Sequence, residues 1–124
     1  MATFTEKELE YLRGQRLGRL ATADSRGAPH VMPLGFRVSA DGTAIEVGGR
    51  AFGTTKKYRD MQVNPRVAIV IDDLVSVDPW TPRGIEIRGI AELQPPGDWP
   101  TGPGQPWARI TPERIIAWGI EPAR

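Results

Sequence analysis

The chain has no cysteine, which removes disulfides, thiolate catalysis and any cysteine-based zinc site. It has a single histidine, His30, so a metal site built on several histidines is impossible as well. Net charge is nearly absent: 16 Lys and Arg stand against 15 Asp and Glu, a formal +1. No global electrostatic case for a nucleic-acid partner exists, and any charge argument must be local. Nothing approaches the ~18 consecutive apolar residues of a membrane span, and Met1 to Gly14 is charged, without an apolar signal core. The expected location is the cytoplasm, with no membrane partner. The chain is rich in glycine (14) and proline (12) for its 124 residues, which points to many turns or one loop-rich stretch. Forty per cent hydrophobic residues supply a core, and the length suits one domain, residues 1–124.

Periodicity sets the expected elements. Thr5 caps a first helix, with Glu8 completing a capping box, Phe4 and Leu9 placed as a hydrophobic staple and Gly14 as a stop. Leu17 to Ala23 reads as a strand, and Asp24-Ser25-Arg26-Gly27 as a turn. From Pro29 the chain alternates, with Met32, Leu34, Phe36 and Val38 on one face. Pro33 in this run argues for an edge, a bulge or a special site. Asp41-Gly42 signals a hairpin, and Thr43 to Gly49 a third strand. Thr54 to Val63 reads as a short helix stopped by Asn64-Pro65. Val67 to Ile71 is an unbroken apolar run, expected to be covered on both faces, and Asp72 to Thr81 reads as a loop. Ile85, Ile87, Gly89, Ala91 and Leu93 mark a half-buried strand, residues 95–106 read as irregular, and Trp107 to Gly119 supplies one last strand or two broken near Pro112. The sum is a mainly β, antiparallel barrel or sandwich with two short helices.

The segment Gly48-Gly49-Arg50-Ala51-Phe52-Gly53-Thr54-Thr55-Lys56-Lys57-Tyr58-Arg59 carries the chemistry. A strand ends in glycines, and a helix opens on two threonines and two lysines. Helix N-termini present unpaired N–H groups and partial positive charge, so lysines are unfavourable there unless an anion meets them. Arg50, Lys56, Lys57 and Arg59 concentrate positive charge in an otherwise balanced chain. These residues make a phosphate site; they also make an ordinary threonine-capped helix with a solvated basic face. The order is not that of a P-loop. Ser25, Ser39 and Ser76 lack a nucleophile context, and His30 reads as a strand-edge histidine or pocket wall more readily than as a general base. Asp72, Asp73 and Asp78 read as a solvated turn, so no metal is expected. Trp80 and Trp99 fall in expected loops, where either can seal an interface or stack on a planar ring; Trp107 and Trp118 read as core. Exposed aromatics interleaved with basic residues, the mark of a nucleic-acid-binding barrel, do not occur on the strands.

With these residues in view, the chain resembles the pyridoxamine 5′-phosphate oxidase-like superfamily, and within it the branch that uses the deazaflavin coenzyme F420. The likeness rests on Leu17-Gly18-Arg19-Leu20-Ala21-Thr22-Ala23, on Gly27-Ala28-Pro29-His30-Val31-Met32-Pro33, on Thr55-Lys56-Lys57 before Asn64-Pro65-Arg66-Val67-Ala68, and on Ile110-Thr111-Pro112-Glu113-Arg114-Ile115-Ile116-Ala117-Trp118-Gly119. The resemblance implies a split β-barrel homodimer with cofactor sites at the subunit interface. It places the cofactor phosphate at Lys57, with Lys56, Thr54 and Thr55 beside it, Met32 and Pro33 along the ring system, and Gly48, Gly49 and Arg50 lining the site. It implies Trp80 as an aromatic from the second chain. F420 is favoured because its acidic tail suits the basic cluster, with FMN as the alternative. The implied activity is hydride transfer from reduced cofactor to a conjugated or quinone-like small molecule, with no catalytic acid or base named; the alternatives are an FMN-dependent oxidoreductase and a non-enzymatic cofactor carrier. Two departures accompany the likeness: residues 95–106 replace a segment that is commonly helical, and the C-terminal extension with which true pyridoxamine-phosphate oxidases bind substrate is lacking.

Overall fold

Alternating apolar residues turn one row of side chains inward along each strand, and in this protein those rows meet inside a closed barrel. The computed structural model describes residues 2–100 and 102–120. The elements are α1 (Glu6–Arg13), β1 (Leu17–Ala23), β2 (Pro29–Val38), β3 (Ile45–Val47), a single 3-10 turn (Phe52–Thr54), α2 (Lys56–Val63), β4 (Arg66–Ser76), β5 (Thr81–Trp99) and β6 (Gly102–Trp118). The strands close in the order β1-β2-β3-β6-β5-β4, and each neighbouring pair is antiparallel. Leu20, Ile45, Val47, Ile69, Ile71, Ile85, Ile87 and Ile110 fill the interior. Their β-branched majority suits pleated strands, and burying each such side chain contributes about 1.5–3 kcal/mol relative to exposure.

The helices are tied to different strands. At α1, Thr5 and Glu8 form the expected capping box, and Phe4 and Leu12 are buried. The Tyr11 hydroxyl donates to Asp73 Oδ1 of β4 at 2.8 Å. Gly14 ends the helix in right-handed geometry (φ −88°), so its lack of a side chain serves no special dihedral there. At α2, Met61 is buried and Tyr58 meets Phe52 edge-on at 5.8 Å, as the spacing predicts. The Asp24–Gly27 turn forms around a Gly27 N–H to Asp24 carbonyl bond of 3.0 Å.

Several expectations are corrected. Residues 95–106 are not irregular: β5 and β6 continue as a two-stranded ribbon through Gly97↔Gln105 and Trp99↔Gly102, with register shifts on either side of Gly97. Among the described residues no third strand pairs with the ribbon beyond the barrel, so prolines interrupt no ladder on its outer edges. Asp72 to Thr81 is not a loop, because β4 runs to Ser76 and only residues 77–80 turn. Val67 to Ile71 is not covered on both faces: Val67, Ile69 and Ile71 are buried, whereas Ala68 and Val70 are half exposed. The third strand shortens to Ile45–Val47. The last strand is one element, with a bulge where Gly89 pairs Pro112 and Arg88 pairs Arg114. Trp99, expected in a loop, ends β5 and is buried, while Trp118, expected in the core, is 37% exposed.

The short β3 has a consequence for β2. Residues Pro29 to Gly35 pair with β1, and only Phe36 to Val38 pair with β3. Among the described residues, no strand pairs with the far edge of β2 from Pro29 to Gly35. Pro33, which lacks an N–H, stands in this half-open stretch; of the edge, bulge or special site its sequence position allowed, the structure gives the edge.

Candidate cofactor site

The candidate site is built where the chain leaves β3. Gly48 is buried, and a Cβ there would fall 2.7 Å from the Trp99 ring, so glycine lets that ring lie against the backbone. Ala51 takes left-handed geometry (φ 55°) and swings the chain into the 3-10 turn. Thr55 then caps α2, accepting from the Tyr58 N–H at 3.3 Å. Its hydroxyl proton goes to the Phe52 carbonyl at 2.7 Å, and that of Thr54 to the Ala51 carbonyl at 2.8 Å. Both hydroxyls thus hold the turn together. The N–H groups left open at the helix start are those of Lys56 and Lys57, the first two residues of α2.

The four basic residues differ. Lys56 Nζ lies 3.0 Å from Asp60 Oδ1, one helical turn on. Asp60 is buried, and its other oxygen accepts from Thr22 of β1 at 2.8 Å. Burial works to raise the Asp60 pKa, but the hydrogen bonds from Thr22 and Lys56, helped by the Lys56 charge, outweigh it and hold the carboxyl below its ordinary value. Arg59 donates back to the Thr54 carbonyl at 3.1 Å. Lys57 is half buried and has no carboxylate partner among the described residues; its ammonium sits 5.8 Å from the centre of the Phe52 ring. Burial lowers its pKa from the ordinary 10.5. A desolvated ammonium beside two open helix N–H groups is suited to an anion. Arg50 is exposed, and with Ala51 it borders a cavity of about 480 Å³ whose other wall is Pro100, Gly102, Pro103 and Gln105.

Met32 (45% exposed) and Pro33 lie on the half-open stretch of β2. Gly48, Gly49, Arg50, Thr54, Thr55, Lys56 and Lys57 are brought together on one continuous segment. Trp80 is not brought to them. It lies 68% exposed in the β4–β5 turn. β4 has 11 residues, roughly 35 Å of chain, and begins where the 8-residue α2, roughly 12 Å long, ends. Within one protomer the turn therefore stays far from Lys57. His30 sits opposite Thr22 in the β1–β2 ladder, and its Nδ1 is buried without a hydrogen-bond partner among the described residues.

Sequence reasoning missed Asp60 and Gln105 and gave Trp99 a different role. Asp60 was detectable as the acidic residue four after Lys56. Trp99 was expected in a loop, sealing an interface or stacking on a planar ring; its packing on Gly48, like the Gln105 contact, depends on a ribbon hidden by its prolines.

A six-strand antiparallel barrel with one strand half unpaired beside a basic helix is the layout of a split-barrel oxidoreductase. Residues 4–119 match the family described as pyridoxamine 5′-phosphate oxidase, and the chain belongs to that family. It is 42% identical over 120 residues, 95% of this chain and 84% of the relative, to the 5a,11a-dehydrotetracycline/5a,11a-dehydrooxytetracycline reductase of Streptomyces rimosus. Among solved structures it is similar to an F420 reductase (TM-score 0.71, 21% identity, 91% of this chain and 98% of the other). It is also similar to an FAD-binding protein from Mesorhizobium loti (TM-score 0.71, 23% identity, 94% and 93%). The protein is an oxidoreductase of this barrel type.

Proposed function

We propose that the protein binds the deazaflavin coenzyme F420, with FMN as the alternative, and reduces a conjugated polycyclic acceptor of the dehydrotetracycline kind. The observation that carries this reading is the 42% identity to a dehydrotetracycline reductase across 95% of the chain. The residues fit a phosphorylated, ring-bearing cofactor: Lys57 lacks a counter-ion among the described residues, and the half-open stretch of β2 offers unpaired backbone and the apolar Met32 side chain to a flat ring. When bound, the cofactor supplies a hydride-carrying ring. Lys57 and the first N–H groups of α2 hold its phosphate, Met32 and Pro33 border the ring, and Gly48 to Arg50 line the approach. The hydride is accompanied by a proton drawn from solvent, and no catalytic acid or base is named in this chain.

The reading includes a homodimer. The outer face of the barrel exposes Leu17 and Val31, at 63% and 60%, together with Trp118, and Val31, Ala68, Val70 and Trp118 line an outer groove of about 250 Å³. Apolar surface of this kind marks an interaction site, and a second copy would bring its own Trp80 to a cofactor site. The test is direct. Purified protein incubated separately with F420 and with FMN is desalted, with retention of F420 expected; the loaded protein is then given a dehydrotetracycline and reduced F420. Retention of neither cofactor, or retention with no oxidation of reduced cofactor, sinks the proposal.

A further inference from the structure

The β5–β6 ribbon beyond the barrel touches the segment Gly48–Gly53 at Gly48, Gly49 and Gly53. The Trp99 ring packs on Gly48, leaving no room for a Cβ. Gly102 packs on the Gly49 carbonyl, which a Cβ would approach to 2.1 Å. Gln105 Oε1 accepts from the Gly53 N–H at 3.1 Å, and a Cβ on Gly53 would lie 3.0 Å from Pro106. Gly53 lies two residues before the Thr55 cap and four before Lys57.

The ribbon is itself anchored. The Arg37 guanidinium lies 4.4 Å from the centre of the Trp99 ring and 5.8 Å from that of Trp107. Arg37 is held by Glu46 at 2.7 Å, and Arg109 reaches the same carboxylate at 3.7 Å. Because Arg37 pairs Glu46 and Glu46 pairs Arg109 across adjacent strands, the barrel wall fixes this row of alternating charge. Cross-strand charge pairs of this kind stabilise a sheet, and a guanidinium over an indole face adds further attraction.

We infer that Gln105 and Trp99 are positioning residues for the anion site, fixing the turn that aims Lys57 and the first N–H groups of α2. This rests on the phosphate reading of that site. A 3-10 turn of three residues has little internal stability; Arg59 and Tyr58 of the adjoining α2 contact it, and among the described residues its one side-chain hydrogen bond from beyond α2 and its Thr55 cap is the one to Gln105 Oε1. Without it the turn and the helix start can drift together.

The test uses the full chain. Gln105→Met keeps the side chain's length and removes the acceptor, whereas Gln105→Glu keeps an acceptor. Amide hydrogen exchange from Gly53 through Lys57 should speed up in Gln105→Met and return towards wild type in Gln105→Glu. Affinity of Gln105→Met for F420 should fall about fivefold, the loss of roughly one hydrogen bond. Its affinity for the bare ribityl deazaflavin, which lacks the phosphate, should stay unchanged. Gln105→Glu is read by exchange alone, because its charge would itself repel a phosphate. Equal weakening for both ligands, unchanged F420 affinity, or unchanged exchange overturns the inference. If the wild-type protein binds neither ligand, the cofactor reading fails, and exchange alone decides: faster in Gln105→Met upholds the positioning role, unaltered removes it.

Discussion

Two charged side chains on α2, one turn apart, have opposite roles. Lys57 is half buried and has no carboxylate partner among the described residues, and on the proposed reading an anion completes its surroundings. Lys57→Ala should weaken cofactor binding by about 1.5–3 kcal/mol, the range for a charge-assisted hydrogen bond, as read by fluorescence titration. The pH dependence follows from its lowered pKa. The charged form binds the anion, so affinity is full while Lys57 is protonated and declines as pH rises through the lowered lysine value, before an ordinary lysine would titrate. Lys57→Arg, whose charge persists to far higher pH, should hold affinity flat over that range. Asp60 acts within the fold, joining Lys56 of α2 to Thr22 of β1. Its folded pKa is depressed, so its contribution to stability is present above the unfolded value near 4 and lost as pH falls through the lower folded value. Asp60→Asn should lower stability at neutral pH by about 2 kcal/mol, the scale of a hydrogen bond to a charged group. It should also flatten the acid limb of urea-unfolding midpoints plotted against pH. An unchanged acid limb would show that Asp60 ties nothing down.

The elements that sequence periodicity exposes are those whose pattern owes nothing to distant partners. α1 is defined by a capping box within four residues, β1 by its alternation, and α2 by a threonine cap and an Asn-Pro stop. Thr55→Ala should therefore cost about 1 kcal/mol in chemical denaturation, a usual N-cap loss. Thr55→Ser should restore most of it, because the hydroxyl bonds both Tyr58 N–H and the Phe52 carbonyl. The β5–β6 ribbon was unreadable for the converse reason. Its composition is that of a loop, and its order comes from contacts far away in sequence: Arg37 under Trp99, Gly48 beneath the same ring, and Gly53 bonded to Gln105. The candidate site divides in the same way. The lysines and threonines are adjacent in sequence and declare themselves, but which lysine is neutralised depends on Asp60 and on Thr22 in another strand. Trp118 was misread because an indole is as apolar on a barrel's outer face as in its core.

At the scale of the whole molecule, the outer face of β1, β2 and β4 carries more apolar surface than a lone barrel needs. Sedimentation should give a dimer, and Val31→Glu should shift it towards monomer, because a charge buried at an apolar interface lacks a partner. A wild-type protein that stays monomeric at micromolar concentration would rule out a site shared between two copies. The half-open edge of β2 carries a different risk. Seven residues of strand open along one edge are a template for intermolecular pairing, and such edges seed aggregates unless they are blunted. Pro29 and Pro33 remove two of the donors that an incoming strand would need, while leaving the carbonyls free. The opening proposed for a small ring is thus closed to another polypeptide, and Pro33→Val should leave the barrel folded but shorten its shelf life in solution.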